Sequence, residues 1–221
     1  MPRFTVRNNE IVFDDGGMNL LSSEALRELG DAVAQLRGSV VVFRSGRPHV
    51  FAAGADMAEM AGFTPFQAYD FAQLGQTVFA MIEKLPCITV AMIDGDCFGG
   101  ALDLILSFDL RYATPRSRFS HPGAKLGIVT GFGGTSRWRK VLARPSAHQL
   151  FLANRVLSAE EAQSFGLIDE VGEPDLDRLA SLDPATTRLV KELTNRAPRL
   201  SPRELLLIAE RLGSLGSHLE N

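Results

Sequence analysis

The stretch CITVAMIDGDCFGGALDL, Cys87 to Leu104, decides how the chain is read. CITVAMID is a short apolar run rich in β-branched residues, which suits a buried strand. GDCFGGALDL then supplies a glycine turn and a helix start. A strand running through glycines into a helix leaves the helix's first backbone N–H groups without intrahelical partners. Asp103 lies three residues after Gly100 in that first turn, where a negative charge opposes the helix dipole favourably. The same position holds it close to whatever the free N–H groups bind.

Working outward, the grammar repeats. EIVFD reads as a strand, Ser22 to Arg37 as a helix with Leu26, Leu29, Val33 and Leu36 on one face, and VVVFR as a second strand. That strand passes through SGRPHVFAAGADM, a second junction of small residues. TPFQ forms a capping box of Thr64 and Gln67 with Pro65 at the first helical position, opening a helix to about Lys84. Phe66, Tyr69 and Phe79 on that helix are expected in the core. Beyond Leu110 the chain is expected to turn helical, with capping boxes at Ser158/Glu161, closed by Gly166, and at Ser201/Glu204 beside Pro202. EPDLDRLASLDP, Glu173 to Pro184, reads as an exposed hinge. Strands alternating with helices imply a mainly parallel α/β sheet whose sites gather where strand ends meet helix starts.

The 221 residues support one substantial core. A net charge of -3 gives no global attraction to nucleic acid or anionic lipid, so RNA binding through Arg137, Arg139, Lys140 and Arg144 around Trp138 is a minor reading. That patch reads first as a solvated helix face, with CoA phosphate contact or subunit packing as its alternative. Cys87 and Cys97 lie ten positions apart with no metal-ligand spacing around them, and Cys97 has no basic partner that would activate a thiol. No metal site and no membrane span are expected, and the chain reads as cytoplasmic.

Glycine turns after strands often cradle phosphates, but GDCFGGAL lacks the Lys-Ser/Thr pair of a P-loop. Neither it nor GFGGT, Gly131 to Thr135, has the dinucleotide spacing. The other use of free N–H groups is to hold an oxyanion. If Ala55 and Gly100 turn their N–H groups into one crevice, they can polarise a single carbonyl.

FAAGADMAEM, DGDCFGGALDL, FDLRYA, GFGGTSR and LSAEEAQSFGLIDEV stand in the order and spacing of the crotonase superfamily, the enoyl-CoA hydratase/isomerase family, which the chain resembles from roughly Ile11 to Val171. The resemblance implies a ββα superhelix with a helical C-terminal region: a core over residues 1–172 that binds acyl-CoA, and a short helical trimerisation region over 173–221. It implies a homotrimer or homohexamer and a CoA thioester as substrate, with no separate cofactor. By motif position the oxyanion donors are Ala55 and Gly100, the proton-moving acid is Asp103, and Ala53, Asp56, Met57, Gly99 and Gly123 join Ala55 and Gly100 around the substrate. Asp56 and Glu59 also suit a structural role at a helix start.

Hydratases of the family use two glutamates. Here the first position holds the shorter Asp103 and the second, in SHPGAKLG, holds Gly123. A missing general acid or base typically costs about 10² to 10⁴ in rate. One-carboxylate isomerase or lyase-type chemistry is therefore expected over efficient hydration, with His121, two residues before Gly123, as a candidate for the lost function. His49, within SGRPHVFAAGADM, is a weaker candidate. The alternative is a catalytically inactive acyl-CoA-binding or assembly subunit.

Overall fold

The structure is a computed structural model that describes residues 2–194. The chain opens with a hairpin, β1 (Phe4–Arg7) and β2 (Glu10–Phe13), turned at Asn8 and Asn9. Both asparagines have positive φ, 48° and 63°, as a tight hairpin turn demands and asparagine tolerates. The strand register sets Phe4 opposite Phe13, and their rings stack 4.3 Å apart. There follow β3 (Leu20–Leu21), α1 (Ser23–Ala34), β4 (Val40–Ser45), β5 (Val50–Ala52), β6 (Gly54–Ala55), α2 (Met57–Met60), α3 (Pro65–Glu83), β7 (Ile88–Ile93), β8 (Asp96–Phe98) and α4 (Gly100–Ile105). The remainder comprises β9 (Leu110–Ala113), β10 (Arg118–Ser120), a 3₁₀ turn at Ala124–Leu126, α5 (Gly134–Val141), α6 (Arg144–Phe151), β11 (Leu157–Ser158), α7 (Ala159–Phe165), β12 (Glu170–Val171), α8 (Leu176–Ala180) and α9 (Pro184–Thr194).

Two sheets carry the architecture. The larger has the order β1-β2-β4-β7-β9-β12 and is parallel except for its opening hairpin. Every residue of β7 is buried, as expected for a parallel strand covered on both faces. On one face lies the main core, with Phe13, Phe43, Phe51, Phe79 and Phe119 fully enclosed. On the other, Leu179 of α8 packs with Val42, Ile88, Val90, Met92 and Tyr112. The 173–184 segment is thus more than an exposed hinge, since it contributes a buried anchor.

The smaller sheet, β11-β10-β8-β5, positions the site. β5 and β10 both run parallel to β8, with Ala52 beside Cys97 and Ser120 beside Phe98. Parallel strands end at the same edge. Three chain exits, after Ala52, Phe98 and Ser120, are therefore gathered on one side of the molecule.

The helix starts follow the capping chemistry. Ser22 caps α1, Thr64 and Gln67 form a reciprocal box on α3, and Ser158 and Glu161 do so on α7, which ends at Gly166 with φ 79°. One expectation is corrected: the chain beyond Leu110 is not simply helical. It returns to strand at β9 and β10, because Leu110–Ala113 completes the large sheet beside β7 while Arg118–Ser120 extends the small one. Ser201, Pro202 and Glu204 lie outside the described residues.

Candidate active site

The three gathered exits line one cavity of about 410 Å³. Ala53, Ala55 and Met57 come from the first, Gly99 and Gly100 from the second, and His121 and Gly123 from the third. The first two meet backbone to backbone. A Cβ added at Gly54, whose φ is +98°, would lie 2.7 Å from the Phe98 carbonyl oxygen and 2.9 Å from the Gly100 nitrogen. A Cβ at Gly100 would lie 3.4 Å from the Ala55 nitrogen. Such an approach is open only to glycine, and it brings the amides of Ala55 and Gly100 to the same wall of the cavity. Gly100 is the first residue of α4, where a helix leaves its N–H groups unpaired.

Asp56 does not line the cavity. Its side chain caps α2, accepting from the Ala58 and Glu59 amides at 2.9 and 3.1 Å, while Glu59 reaches back to the Ser23 amide at 2.9 Å. Both acids act as helix-start fixtures there. His49 is exposed and stands apart from the cavity, on the Asp94 side of the small sheet. Cys97 is fully buried, and burial pushes its thiol well above the ordinary range.

Asp103 is 0 % exposed and sits one layer behind the cavity wall. Its Oδ2 accepts a hydrogen bond from the Thr130 hydroxyl, and Thr130 lines the cavity. Its Oδ1 lies 3.8 Å from His121 Nε2, and neither of those two buried atoms has a hydrogen-bond partner. A Cβ on Gly134 would fall 1.8 Å from Oδ1, so the α5 start packs bare backbone against the carboxyl. Burial lifts this carboxyl to about 7, against the opposing pull of the Thr130 hydroxyl, the Arg137 guanidinium and the Gly134 amide. Burial lowers His121 below its ordinary 6.5. Burial thus favours the uncharged form of both groups, which fits a close contact that is not an ion pair.

Gly123 explains why His121 stands where it does. A Cβ there would lie 2.8 Å from the Ile128 carbonyl oxygen and 3.0 and 3.1 Å from Cε1 and Nδ1 of His121. The imidazole, tilted 41° against the Phe151 ring with centroids 4.7 Å apart, lies against the point where a side chain at 123 would start.

The rest of the lining is apolar, and here the expectation for α3 is corrected. Phe66 and Tyr69 are 72 % and 62 % exposed, whereas Ala68, Phe71 and Ala72 face the cavity. The helix turns the 68/71/72 face inward, one turn apart, and a capping box fixes where a helix starts without fixing which face it buries. Phe132 closes the floor against Phe71 and Phe79, edge-on at 5.0 and 5.6 Å. The basic patch is also divided. Arg137 is buried, donating to the Phe132 carbonyl at 2.6 Å and pairing with Glu83 at 2.9 Å, while Arg139 and Lys140 remain outside. Thr130, Phe71 and Phe132 were missed in the sequence: Thr130 and Phe71 carry no motif, and within GFGGTSR the glycines draw the reading away from Phe132.

Among the described residues no group of three His, Cys, Asp or Glu side chains is placed to hold a metal ion, and no helix is long and apolar enough to cross a membrane.

Residues 9–200 match the model of the enoyl-CoA hydratase/isomerase family. The chain is 30 % identical over 192 residues to a short-chain-enoyl-CoA hydratase of Clostridium acetobutylicum, covering 81 % of this chain and 74 % of that one. It is 33 % identical over 162 residues to a crotonyl-CoA hydratase of Syntrophomonas wolfei, covering 72 % of this chain and 62 % of that one. Among solved structures it resembles an enoyl-CoA hydratase from Bacillus anthracis, with a TM-score of 0.83 and 27 % identity over 95 % of this chain and 88 % of the other. With its ββα core, its paired glycine junctions and its apolar cavity, the chain belongs to the enoyl-CoA hydratase/isomerase family of acyl-CoA enzymes.

Proposed function

We propose that the protein forms and quenches the enolate of an acyl-CoA thioester, with the Ala55 and Gly100 N–H groups holding the thioester oxygen and Asp103 as the proton store. The matched relatives are named hydratases. For this chain we favour a one-carboxylate reaction, double-bond isomerisation or a lyase step, over hydration by two acids. The observation that carries this choice is at Gly123, which brings no side chain to the cavity and where an added Cβ would press on the Ile128 carbonyl and the His121 ring. Asp103 supports the proton role because a carboxyl held at about 7 can both take and return a proton near neutral pH. The apolar lining suits an uncharged acyl chain.

A second reading rests on a specific observation: Asp103 does not itself reach the cavity wall. An acyl-CoA-binding subunit without chemistry would look the same. Incubating the protein with saturated and unsaturated acyl-CoA thioesters in deuterated water separates the two. Mass spectrometry should find deuterium at the α-carbon with the wild type, and a rate lower by roughly 10² to 10⁴ with Asp103→Asn. Thioester binding without uptake in either protein would leave only the binding subunit.

A further inference from the structure

The cavity has twenty lining residues, and only two of them, His121 and Thr130, bring a nitrogen or oxygen on the side chain. Thr130 carries the only hydroxyl. It stands between the cavity and the fully buried Asp103, donating its proton to Oδ2. A hydroxyl that donates to a carboxylate keeps its oxygen lone pairs free on the other side. Among the cavity-lining residues His121 is the other polar neighbour of Asp103, but its Nε2 stands 3.8 Å from Oδ1 and makes no hydrogen bond, while the Arg137 guanidinium acts on the carboxyl from outside the cavity. Gly134 backbone blocks the remaining side of the carboxyl.

We propose that the Thr130 hydroxyl relays protons between the α-carbon of a bound acyl-CoA and Asp103. This rests on the enolate reading given above. In the forward step the Cα–H bond breaks and its electron pair enters the enolate, with the negative charge on the thioester oxygen. The released proton bonds to Thr130 Oγ1. The original Oγ1–H bond breaks in concert, and that proton passes to Asp103 Oδ2, which becomes a neutral acid. Reprotonation reverses the sequence, at the same carbon for exchange or at another carbon for isomerisation. Charge and protons balance without any co-reactant. The relay also accounts for a placement that direct contact does not, an acid buried behind a hydroxyl instead of open to the substrate.

The test is α-deuterium uptake from deuterated water, measured as a function of pH on the full chain, with binding of a saturated acyl-CoA followed in parallel. Thr130→Val keeps the shape and deletes the hydroxyl, Thr130→Ala is a second deletion in case valine disturbs the loop, and Thr130→Ser returns the hydroxyl. Wild-type exchange should rise with pH as Asp103 ionises. The relay predicts that Val and Ala lose roughly 10²-fold or more at every pH, including above that rise, with thioester binding retained, and that Ser stays within about threefold of wild type. If Val or Ala regains the wild-type rate at higher pH, Thr130 only holds the carboxyl in its ionised form and the relay is wrong. If exchange is unchanged in both, the proton travels by another route, with His121 the remaining polar group. Absence of exchange in the wild type is a different result, since it removes the enolate reading itself.

Discussion

The cavity has two unlike walls. The wall of Ala53–Ala55 and Gly99–Gly100 is backbone laid on backbone, with Gly54 at φ +98° beneath the Gly100 nitrogen. The wall from His121 to Phe132, with Asp103 one layer behind it, is side chains laid on backbone: His121 against Gly123, Phe132 against Gly75 and Gly100, and behind them Asp103 against Gly134. The first wall has only one solution, since peptide groups cannot change their rotamers. The second is an arrangement of rings, a carboxyl and a hydroxyl, in which replacing one side chain moves the others. A fold does not by itself fix a reaction, and of the two walls only the second presents polar side chains with which to choose one.

The strongest way to break this comparison is to put a side chain into the backbone wall. Gly54→Ala must force an L-residue into a left-handed conformation and set its Cβ against the Phe98 carbonyl and the Gly100 nitrogen. Strain and overpacking together predict a loss on the order of 5 kcal/mol, read by denaturant unfolding, with α-deuterium uptake gone in whatever folds. A variant that unfolds like the wild type and still exchanges would show that this wall can yield, and the contrast between the walls would collapse.

The two walls also differ in how far the sequence discloses them. The glycine junctions and Asp103 are visible as strand, turn and helix start, and the parallel strands inferred from CITVAMID and VVVFR do lie side by side as β7 and β4. What hides is the small sheet. VFA, DCF and RFS are three-residue strands, too short to show a period, yet their parallel pairing places His121 beside the glycine loops. Thr130 and Phe132 sit in a connection without periodicity and Gly134 at the start of α5, and their contacts with Asp103, Phe71 and Phe79 span 27 to 61 residues of chain. The inward face of α3 is ambiguous for a related reason: Phe66, Tyr69 and Phe71 all lie within two turns of the start, and tertiary contact alone selects Phe71.

Behind the side-chain wall, the buried carboxyl leaves a signature in stability against pH. Asp103 titrates at about 7 in the fold and near 3.8 when unfolded. Below about pH 4 both states hold the proton and the group contributes no pH dependence. As pH rises from 4 to 7 the unfolded chain releases its proton and the folded one retains it, so stability falls across that window and is level above it. At 1.36 kcal/mol per unit the full loss is about 4 kcal/mol. Asp103→Asn, which does not titrate, should therefore gain on the wild type between pH 4 and 7, measured as the difference in unfolding free energy at each pH. A constant difference would mean that the carboxyl is ionised in the fold, with Thr130 and Gly134 outweighing its burial.

The smallest expected effect addresses whether the missing acid can be restored. Motif position alone suggests that Gly123→Glu would return the second carboxylate of a hydratase. The side-chain wall says otherwise, because the new Cβ meets the Ile128 carbonyl at 2.8 Å and the His121 ring at 3.0 Å. Overpacking of this kind costs typically about 1 to 3 kcal/mol, and hydration of an enoyl-CoA, followed by loss of the thioester's conjugated absorbance, should not rise. Removing the ring as well, in His121→Ala with Gly123→Glu, vacates most of the disputed volume. The double variant should then be more stable than the sum of the two single changes predicts, by about 0.5 to 3 kcal/mol, as for residues that share one space. Strict additivity would show that glutamate avoids the ring altogether. In that case the Ile128 carbonyl alone, on the adjoining loop, would set the cost of a side chain at position 123.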